Sequence, residues 1–206
     1  MAIEIETNDG IQLIRMGGQA STQSFSEAFL PKIARAIDDA LSDGDVKGIV
    51  LTGEGKFFSA GADINAFQQS IDDNNAPELI RKLTGILHPL LIRMRTSPTV
   101  IIAALNGVSA GGGLGLALAC DARIGTSDAR MAASYSGMGL SPDGGTTWLL
   151  PRFVGEPVAR RFFLQNQIWS GEEACSHGAI DLIVDQDALL ATAHEWAVTW
   201  SSWGMH

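Results

Sequence analysis

Two glycine- and alanine-rich turns contain the residues of this chain that are best suited to chemistry. Residues 58–64 read Phe-Ser-Ala-Gly-Ala-Asp-Ile, and residues 110–115 read Ala-Gly-Gly-Gly-Leu-Gly. Each turn follows a predicted strand and offers backbone N–H groups that have no partner within a helix. Two such turns on neighbouring strands can each direct one N–H at the same carbonyl oxygen, an arrangement that stabilises an enolate or a tetrahedral oxyanion.

The second turn overlaps a different pattern, Gly-Val-Ser-Ala-Gly at residues 107–111, which matches the G-x-S-x-G of a nucleophile elbow between a strand and a helix. Ser109 would then be the nucleophile of a serine hydrolase. The acid and the histidine of its triad would come from Asp143, Asp181 or Asp185 and from His194. A five-residue match is weak in a chain with 23 glycines, and no histidine–glycine oxyanion motif precedes it. The spacing of the glycines also departs from the dinucleotide-binding fingerprint.

Composition limits the class of protein and its partners. The chain has 206 residues, of which 46% are hydrophobic and 18% charged, enough for one substantial core without an apolar run of membrane-spanning length. The formal net charge of −9 argues against a nucleic-acid partner and requires that an anionic ligand be held by a local basic residue or by backbone dipoles. The N-terminus does not resemble a signal peptide, and Cys120 and Cys175 predict two buried, reduced thiols in a cytoplasmic protein without a metal site.

Strand and helix patterns alternate along the chain and place both turns directly after strands. A helix with apolar residues every four positions is predicted from Phe25 to Leu41, with Ser24 or Ser26 as its cap. The other elements are strands at residues 3–7, 11–15, 47–52, 99–104 and 122–125, a helix at 78–95, and mainly helices after about residue 144. This order predicts one α/β domain with a helical C-terminal region.

Three stretches of the chain resemble the signature sequences of the crotonase superfamily, the enoyl-CoA hydratase/isomerase family. They are residues 56–64, 106–121 and 139–146, which occur in the family's order and spacing. The resemblance implies a crotonase-like spiral of ββα repeats in residues 1–145 and a helical region in residues 146–206 that is shorter than in the family. It also implies a coenzyme A thioester as substrate, no permanently bound cofactor, no metal, no membrane partner, and assembly as a homo-oligomer, either a trimer or a hexamer.

The resemblance also assigns roles to individual residues. By position, the oxyanion N–H groups would be those of Ala60 and Gly112, and Asp143 would be the acidic base. Lys56 would meet a phosphate of coenzyme A, with a solvated loop lysine as the alternative, and Tyr135 would shape the acyl pocket. For Asp143 the alternative is the N-cap of the following helix. The implied substrate-binding set is Lys56, Ala60, Gly61, Ala62, Asp63, Ile64, Gly111, Gly112 and Tyr135.

The expected reaction follows from which carboxylates this chain lacks. The family's hydratases carry glutamates where this chain has Gly115 and Tyr135, and adding water to a double bond needs groups that position the water and supply a proton. Hydration is therefore disfavoured. Asp143 stands where members that resemble enoyl-CoA and ring-opened phenylacetyl-CoA isomerases carry their base, so the predicted reaction is a double-bond shift through a thioester enolate.

Other functions stay open beside isomerisation. A hydratase and a coenzyme A-dependent dehalogenase, in which Asp143 attacks carbon, belong to the same family, and the dehalogenase gains support if His88 lines the pocket. An acyl-CoA-binding protein without catalysis and the serine hydrolase are alternatives of other classes. The stripe of Trp196, Trp200 and Trp203 predicts a core or subunit contact. Because the family continues into further helices, an uncovered apolar stripe here would favour self-association.

Overall fold

Strands and helices alternate throughout the structure, a computed structural model that describes residues 2–203. The strands are β1 (Ile3–Asn8), β2 (Ile11–Met16), β3 (Gly48–Gly53), β4 (Phe57–Ser59), β5 (Val100–Leu105), β6 (Val108–Ala110), β7 (Ala122–Gly125), β8 (Arg130–Ala132), β9 (Ile168–Ser170) and β10 (Leu182–Ile183). The helices are α1 (Gln19–Thr22), α2 (Leu30–Ser42), α3 (Ile64–Asp72), α4 (Ala76–Thr96), α5 (Gly112–Ala119), α6 (Thr146–Val154), α7 (Glu156–Leu164), α8 (Gly171–Ser176) and α9 (Leu189–Ser201). A short 3-10 helix covers Ser136–Met138.

From β3 to β8, consecutive strands alternate between two sheets. The six-stranded sheet has the order β1-β2-β3-β5-β7-β10, and the four-stranded sheet has the order β4-β6-β8-β9. The pairs β3/β4, β5/β6 and β7/β8 therefore each place their first strand in the larger sheet and their second strand in the smaller one. The pairing is parallel from β2 through β3 and β5 to β7, and from β4 through β6 to β8. This repeated arrangement confirms the predicted α/β spiral.

Sharp corners between the two strands of a repeat depend on glycine. A Cβ atom on Gly53 would lie 2.0 Å from the Phe57 carbonyl oxygen, and one on Gly107 would lie 2.2 Å from the Lys56 carbonyl oxygen. The Asn106 side chain links the two corners, because its Oδ1 accepts from the Gly53 N–H and its Nδ2 donates to the carbonyls of Gly55 and Phe57. These contacts hold β4 and β6 side by side, so the turns that follow them lie next to each other.

The hydrophobic core forms two clusters on opposite faces of the larger sheet. The first lies between that sheet and helices that include α2, α4 and α5. The second is covered by α9, whose Leu189, Ala193 and Ala197 pack on Val50 and Ile102 among other strand residues.

The C-terminal tryptophans differ in their surroundings. Trp196 and Trp200 stack with ring centroids 5.2 Å apart and pack at the edge of the second core cluster. Trp203 is 68% exposed. The tryptophan stripe is thus partly core and partly surface.

An ion pair between a buried arginine and an exposed aspartate joins the repeats to the C-terminal region. The Arg123 side chain is 1% exposed, and its Nη2 lies 2.8 Å from Oδ2 of Asp181. Arg123 also donates to the carbonyls of Ala179 and Cys120, so its guanidinium is well satisfied. Because a buried charge is tolerated only when it is paired and hydrogen-bonded, this cluster fixes the segment after α8 against β7.

Three expectations about local structure are corrected. The second helix begins at Leu30 rather than near Phe25, and neither Ser24 nor Ser26 caps it. Phe25 is instead held in a bridge to Ala62, which draws the chain away from helical geometry. The C-terminal region is not purely helical, because β9 and β10 extend the two sheets. Cys120 is buried as predicted, but Cys175 is only partly buried.

Helix α4 contains a glycine that has no packing role. Gly85 is exposed, and a Cβ atom added there would meet nothing within 4 Å. Gly85→Ala should therefore stabilise the fold by about 0.5–1 kcal/mol, because alanine loses less backbone entropy than glycine in a helix. We expect the melting temperature to rise by about 1–4 °C in a thermal unfolding scan. A fall would show that the helix is strained at this position.

Candidate active site

A cavity of about 620 Å³ opens where the two turns meet. Its wall is contributed by both turns, by α3 and α4, and by the segment from Ser134 to Asp143. The lining residues are Phe25, Ala60, Ala62, Ile64, Phe67, Ile80, Leu83, Thr84, Leu87, Gly111, Gly112, Ser134, Tyr135, Gly137, Met138, Leu140, Ser141, Asp143 and Asn166. Most of these side chains are apolar, so the cavity suits an apolar group with a few polar atoms at one end.

The two turns are in close contact. A Cβ atom on Gly61 would lie 3.5 Å from the Gly112 nitrogen and only 2.6 Å from the Ala110 carbonyl oxygen. Gly61 has φ +82°, a conformation that side chains disfavour, so glycine is required there both for the turn and for the contact. The expected convergence of the two loops is therefore present.

The available N–H donors differ from the predicted pair. The Ala60 N–H donates to the Ser21 carbonyl at 2.8 Å, so it is not available to a ligand. The prediction that Ala60 provides an oxyanion donor is therefore corrected. Within residues 2–203 neither the Ala62 N–H nor the Gly112 N–H donates a hydrogen bond. Gly112 is the first residue of α5, where N–H groups have no intrahelical partner. Ala62 and Gly112 both line the cavity, so each of the two turns provides one free donor there.

Asp143 contributes the carboxylate that lines this cavity, and no other lining residue within the described part of the chain is a carboxylate. It does not cap the following helix: the N-cap of α6 is Gly145, and no side chain accepts a capping hydrogen bond there. The N-cap alternative for Asp143 is therefore wrong. Thr146 fixes the loop instead, since its N–H and its Oγ1 both donate to the Asp143 carbonyl, at 3.1 and 2.8 Å.

The environment makes Asp143 a stronger base than an ordinary aspartate. Burial raises the pKa of its carboxyl, and the positive charge that His88 can carry and the Tyr135 hydroxyl offset part of that rise. Burial and the charge of Asp143 also raise the pKa of the Tyr135 phenol, which therefore stays protonated at neutral pH. A carboxylate with a raised pKa, near two free N–H groups, is suited to proton abstraction.

At Gly115, where the family's hydratases carry their first glutamate, the backbone of a neighbouring loop leaves no room for a side chain. A Cβ atom on Gly115 would lie 2.4 Å from the Gly144 carbonyl oxygen, so the loop that carries Asp143 occupies the space of any side chain there. At the second glutamate position, Tyr135 is buried and fills the wall of the cavity. Among the residues that the structure describes, the cavity lining therefore contains no pair of carboxylates to position a water molecule.

This close packing leads to a stability prediction. Gly115→Ala should destabilise the fold by about 1–3 kcal/mol, because the new methyl group must displace the backbone at Gly144. Urea unfolding would measure the loss, with the same substitution at the open Gly85 position as the matched control. If Gly115→Ala is as stable as the unchanged protein, the loop does not pack as described.

Some predicted binding residues lie away from the cavity. Lys56 is exposed and does not line it. Asp63 is the N-cap of α3, where its Oδ1 accepts from the N–H groups of Asn65 and Ala66. The cavity does bring together Ala60, Ala62, Ile64, Gly111, Gly112, Tyr135 and Asp143.

The serine hydrolase is not supported by the positions of its residues. Ser109 is fully buried within β6 and does not line the cavity. His194 lies on α9, where its ring nitrogen is 3.3 Å from the Asn8 carbonyl oxygen, and Asp181 is paired with Arg123. His88 is exposed on α4 and is not among the lining residues, so the condition that would favour a dehalogenase is not met.

Sequence reasoning missed much of the cavity wall. Leu83, Thr84 and Leu87 of α4 and Phe67 of α3 line the cavity, and Phe25 closes it beside Gly112. The apolar stripe of α4 was a visible signal, but such a stripe has the same spacing whether it faces a core or a cavity.

Residues 2–203 contain neither a metal-binding cluster nor a helix suited to span a membrane. No cluster of three or more histidine, cysteine or acidic side chains in this range could hold a metal ion. None of the helices in the same range has the length and apolar composition needed to cross a membrane.

Comparisons with known proteins agree with the fold and identify the family. A family model described as Enoyl-CoA hydratase/isomerase matches residues 6–205. The chain is 35% identical over 181 residues to a probable enoyl-CoA hydratase, EchA14, of Mycobacterium tuberculosis, an alignment that covers 88% of this chain and 69% of that protein. It is 33% identical over 189 residues to 1,2-epoxyphenylacetyl-CoA isomerase of Escherichia coli, covering 91% and 71%.

Solved structures give the same result. The structure of DspI from Pseudomonas aeruginosa aligns with a TM-score of 0.87 and 32% sequence identity, covering 98% of this chain and 80% of that chain. The signature stretches, the two-sheet spiral, the paired turns and these matches lead to one conclusion: the chain belongs to the enoyl-CoA hydratase/isomerase family.

Proposed function

We propose that this protein isomerises enoyl-CoA thioesters, shifting a double bond through an enolate without adding water. The observation that supports this most is that, among residues 2–203, Asp143 is the one carboxylate that lines the cavity, and that Ala62 and Gly112, whose N–H groups are free, line it too. One base beside one oxyanion site is sufficient for a proton to be removed and returned. A pair of carboxylates, as hydration needs, is not provided by the lining residues.

The proposed reaction uses backbone donors and one side chain. The thioester oxygen accepts hydrogen bonds from the Ala62 and Gly112 N–H groups, which acidify the carbon next to the carbonyl. Asp143 removes a proton from that carbon, and the two N–H groups stabilise the resulting enolate. Asp143 then returns the proton two carbons further along the acyl chain, and the double bond moves into conjugation with the thioester.

The cavity lining favours an uncharged acyl group. Apolar side chains of α3 and α4 form one wall, among them Phe67, Leu83 and Leu87. No lysine or arginine within residues 2–203 lines the cavity, so an acyl chain ending in a second carboxylate would be buried without a counter-charge. The coenzyme half of the substrate would extend past the turn at residues 60–64 toward solvent.

Two further parts of the proposal concern charge and assembly. The exposed Lys56 side chain is available to pair with a coenzyme A phosphate, which would offset the repulsion due to the net charge of −9. By analogy with the family, the protein would assemble as a homo-oligomer. The exposed Trp148 and Trp203, at 63% and 68%, are apolar surface that such a contact would cover.

A product analysis with a small panel of thioesters tests the function. The panel would contain a 3-enoyl-CoA, a 2-enoyl-CoA, a halogenated aroyl-CoA and a saturated acyl-CoA, with products measured by mass spectrometry and chromatography. We expect a mass-neutral conversion of the 3-enoyl to the 2-enoyl thioester. Gain of water, release of halide or release of free coenzyme A as the main result would replace isomerisation with hydration, dehalogenation or hydrolysis. Binding without any conversion would identify a non-catalytic acyl-CoA-binding protein.

A further inference from the structure

The hydroxyl of Tyr135 lies at the loop that carries Asp143. It donates to the main-chain carbonyl of Asp143 at 3.4 Å, and both side chains line the cavity. Tyr135 is the chain's one tyrosine and is 4% exposed. A buried phenol almost always has a polar partner, and here the partner is the residue that the proposed mechanism uses as its base.

The backbone before Tyr135 is held in an unusual conformation. Ser134 has φ +54°, in the left-handed region that residues other than glycine rarely adopt. The 3-10 helix begins directly after Tyr135, and the tyrosine ring packs against Phe163 with centroids 6.4 Å apart. Strained backbone of this kind persists where the surroundings determine it and often occurs at functional sites. The residue that follows it, Tyr135, lines the cavity.

The contact at 3.4 Å is at the long end for a hydrogen bond between two oxygens, and Thr146 already donates twice to the same carbonyl. The Tyr135 hydroxyl therefore has capacity for a better acceptor. The carboxylate of Asp143 belongs to the residue whose carbonyl this hydroxyl already contacts, and both residues line the same cavity. The Tyr135 hydroxyl also lowers the pKa of that carboxyl, in agreement with a role for the carboxylate as the acceptor.

We propose that Tyr135 is a positioning residue, whose hydroxyl donates to the Asp143 carboxylate and orients it toward the carbon from which the proton is removed. This inference rests on the proposed function, because it gives Tyr135 a role only where Asp143 is the base. In the family's hydratases a second carboxylate stands at this position. In this chain the Tyr135 phenol replaces that second carboxylate, and its neutral hydroxyl acts as a hydrogen-bond donor to the remaining one, Asp143.

The protonation states agree with this role. Burial raises the pKa of Tyr135, so the phenol keeps its proton and remains a donor throughout the neutral range. Among the described residues, the charged or titratable groups that act on the Asp143 carboxyl are His88 from α4 and Tyr135, and both lower its pKa against the effect of burial. Removal of the hydroxyl should therefore make Asp143 harder to ionise, while His88 continues to act.

Tyr135→Phe is the direct test, because it retains the ring and its packing on Phe163. We expect the acidic limb of the pH–rate profile to move to higher pH, with a loss of about tenfold on that limb and little change in KM, as a hydrogen bond to a charged group is worth about that factor. Phe163→Leu is the matched control: it loosens the ring packing but leaves the hydroxyl, so its acidic limb should stay at the position of the unchanged protein. An unmoved limb in Tyr135→Phe would overturn the proposal.

A second measurement does not depend on turnover. With aspartate labelled by ¹³C at the carboxyl carbon, NMR titration reports the Asp143 pKa, and its signal is identified by its absence in Asp143→Asn. The Tyr135→Phe variant should show a higher Asp143 pKa than the unchanged protein, even if the thioester panel shows that the protein is not an isomerase. Equal values in the two proteins would overturn the hydrogen bond itself.

Discussion

Replacing Asp143 with asparagine is expected to lower isomerase turnover by about 100- to 10,000-fold, the contribution typical of a positioned general base. Asparagine has nearly the same shape, so the loop and its contacts with Thr146 should remain. It accepts no proton at neutral pH. Acyl-CoA binding should change little, because the Ala62 and Gly112 donors and the apolar wall are untouched. Steady-state kinetics and calorimetric titration with a saturated acyl-CoA would measure the two effects separately.

The same substitution should stabilise the protein at neutral pH. Burial raises the pKa of Asp143 in the folded state above its unfolded value, so the folded state prefers the protonated form. The stability associated with this group is present at low pH and is lost as the pH rises through its folded pKa. Asp143→Asn should therefore melt above the unchanged protein at pH 7, and the difference should disappear at acidic pH.

Asp128→Asn supplies the matched control for both effects. Asp128 is exposed and lies outside the cavity, and its substitution changes the net charge by the same amount. We expect it to retain full activity and an unchanged melting temperature. If Asp143→Asn keeps near-normal turnover while Asp128→Asn behaves as expected, the base is a different residue.

Gly112→Ala is expected to lower turnover by about 100- to 1,000-fold, the loss typical when one oxyanion donor is removed. A Cβ atom at this position would lie 2.9 Å from the Phe25 ring, closer than such contacts allow. Either Phe25 or the start of α5 must move, and the Gly112 N–H then no longer points to the position of the thioester oxygen. The loss should appear in kcat, since the developing negative charge needs this donor more than the bound substrate does.

A double substitution distinguishes misplacement of the donor from general damage. Adding Phe25→Ala to Gly112→Ala removes the ring atoms that the new methyl group would meet, so part of the lost rate should return. Gly85→Ala, the same change at an open position, should leave the rate unaltered. If the double variant is no faster than Gly112→Ala, the clash with Phe25 is not the cause of the loss.

Much of the site was predictable because its chemistry depends on backbone that a local sequence specifies. A strand followed by a glycine-rich turn predicts backbone N–H groups without partners, whatever the rest of the fold. The turns at 58–64 and 110–115 do lie side by side. The absence of glutamate at Gly115 and Tyr135 is likewise a property of the sequence, and it already disfavoured hydration. Asp143 was visible for the same reason, as an acidic residue within a recognisable motif.

Tertiary structure alone decided which of these groups is available. The Ala60 N–H is occupied by Ser21, a residue far earlier in the chain, and this leaves Ala62 as the free donor. Contacts between residues that are distant in sequence likewise place the Gly144 backbone against Gly115 and the Phe25 ring against Gly112. Local pattern determines where strands and turns occur, whereas the availability of a hydrogen-bonding group depends on what packs against it. For that reason the sequence determined the kind of site, and the fold determined which atoms form it.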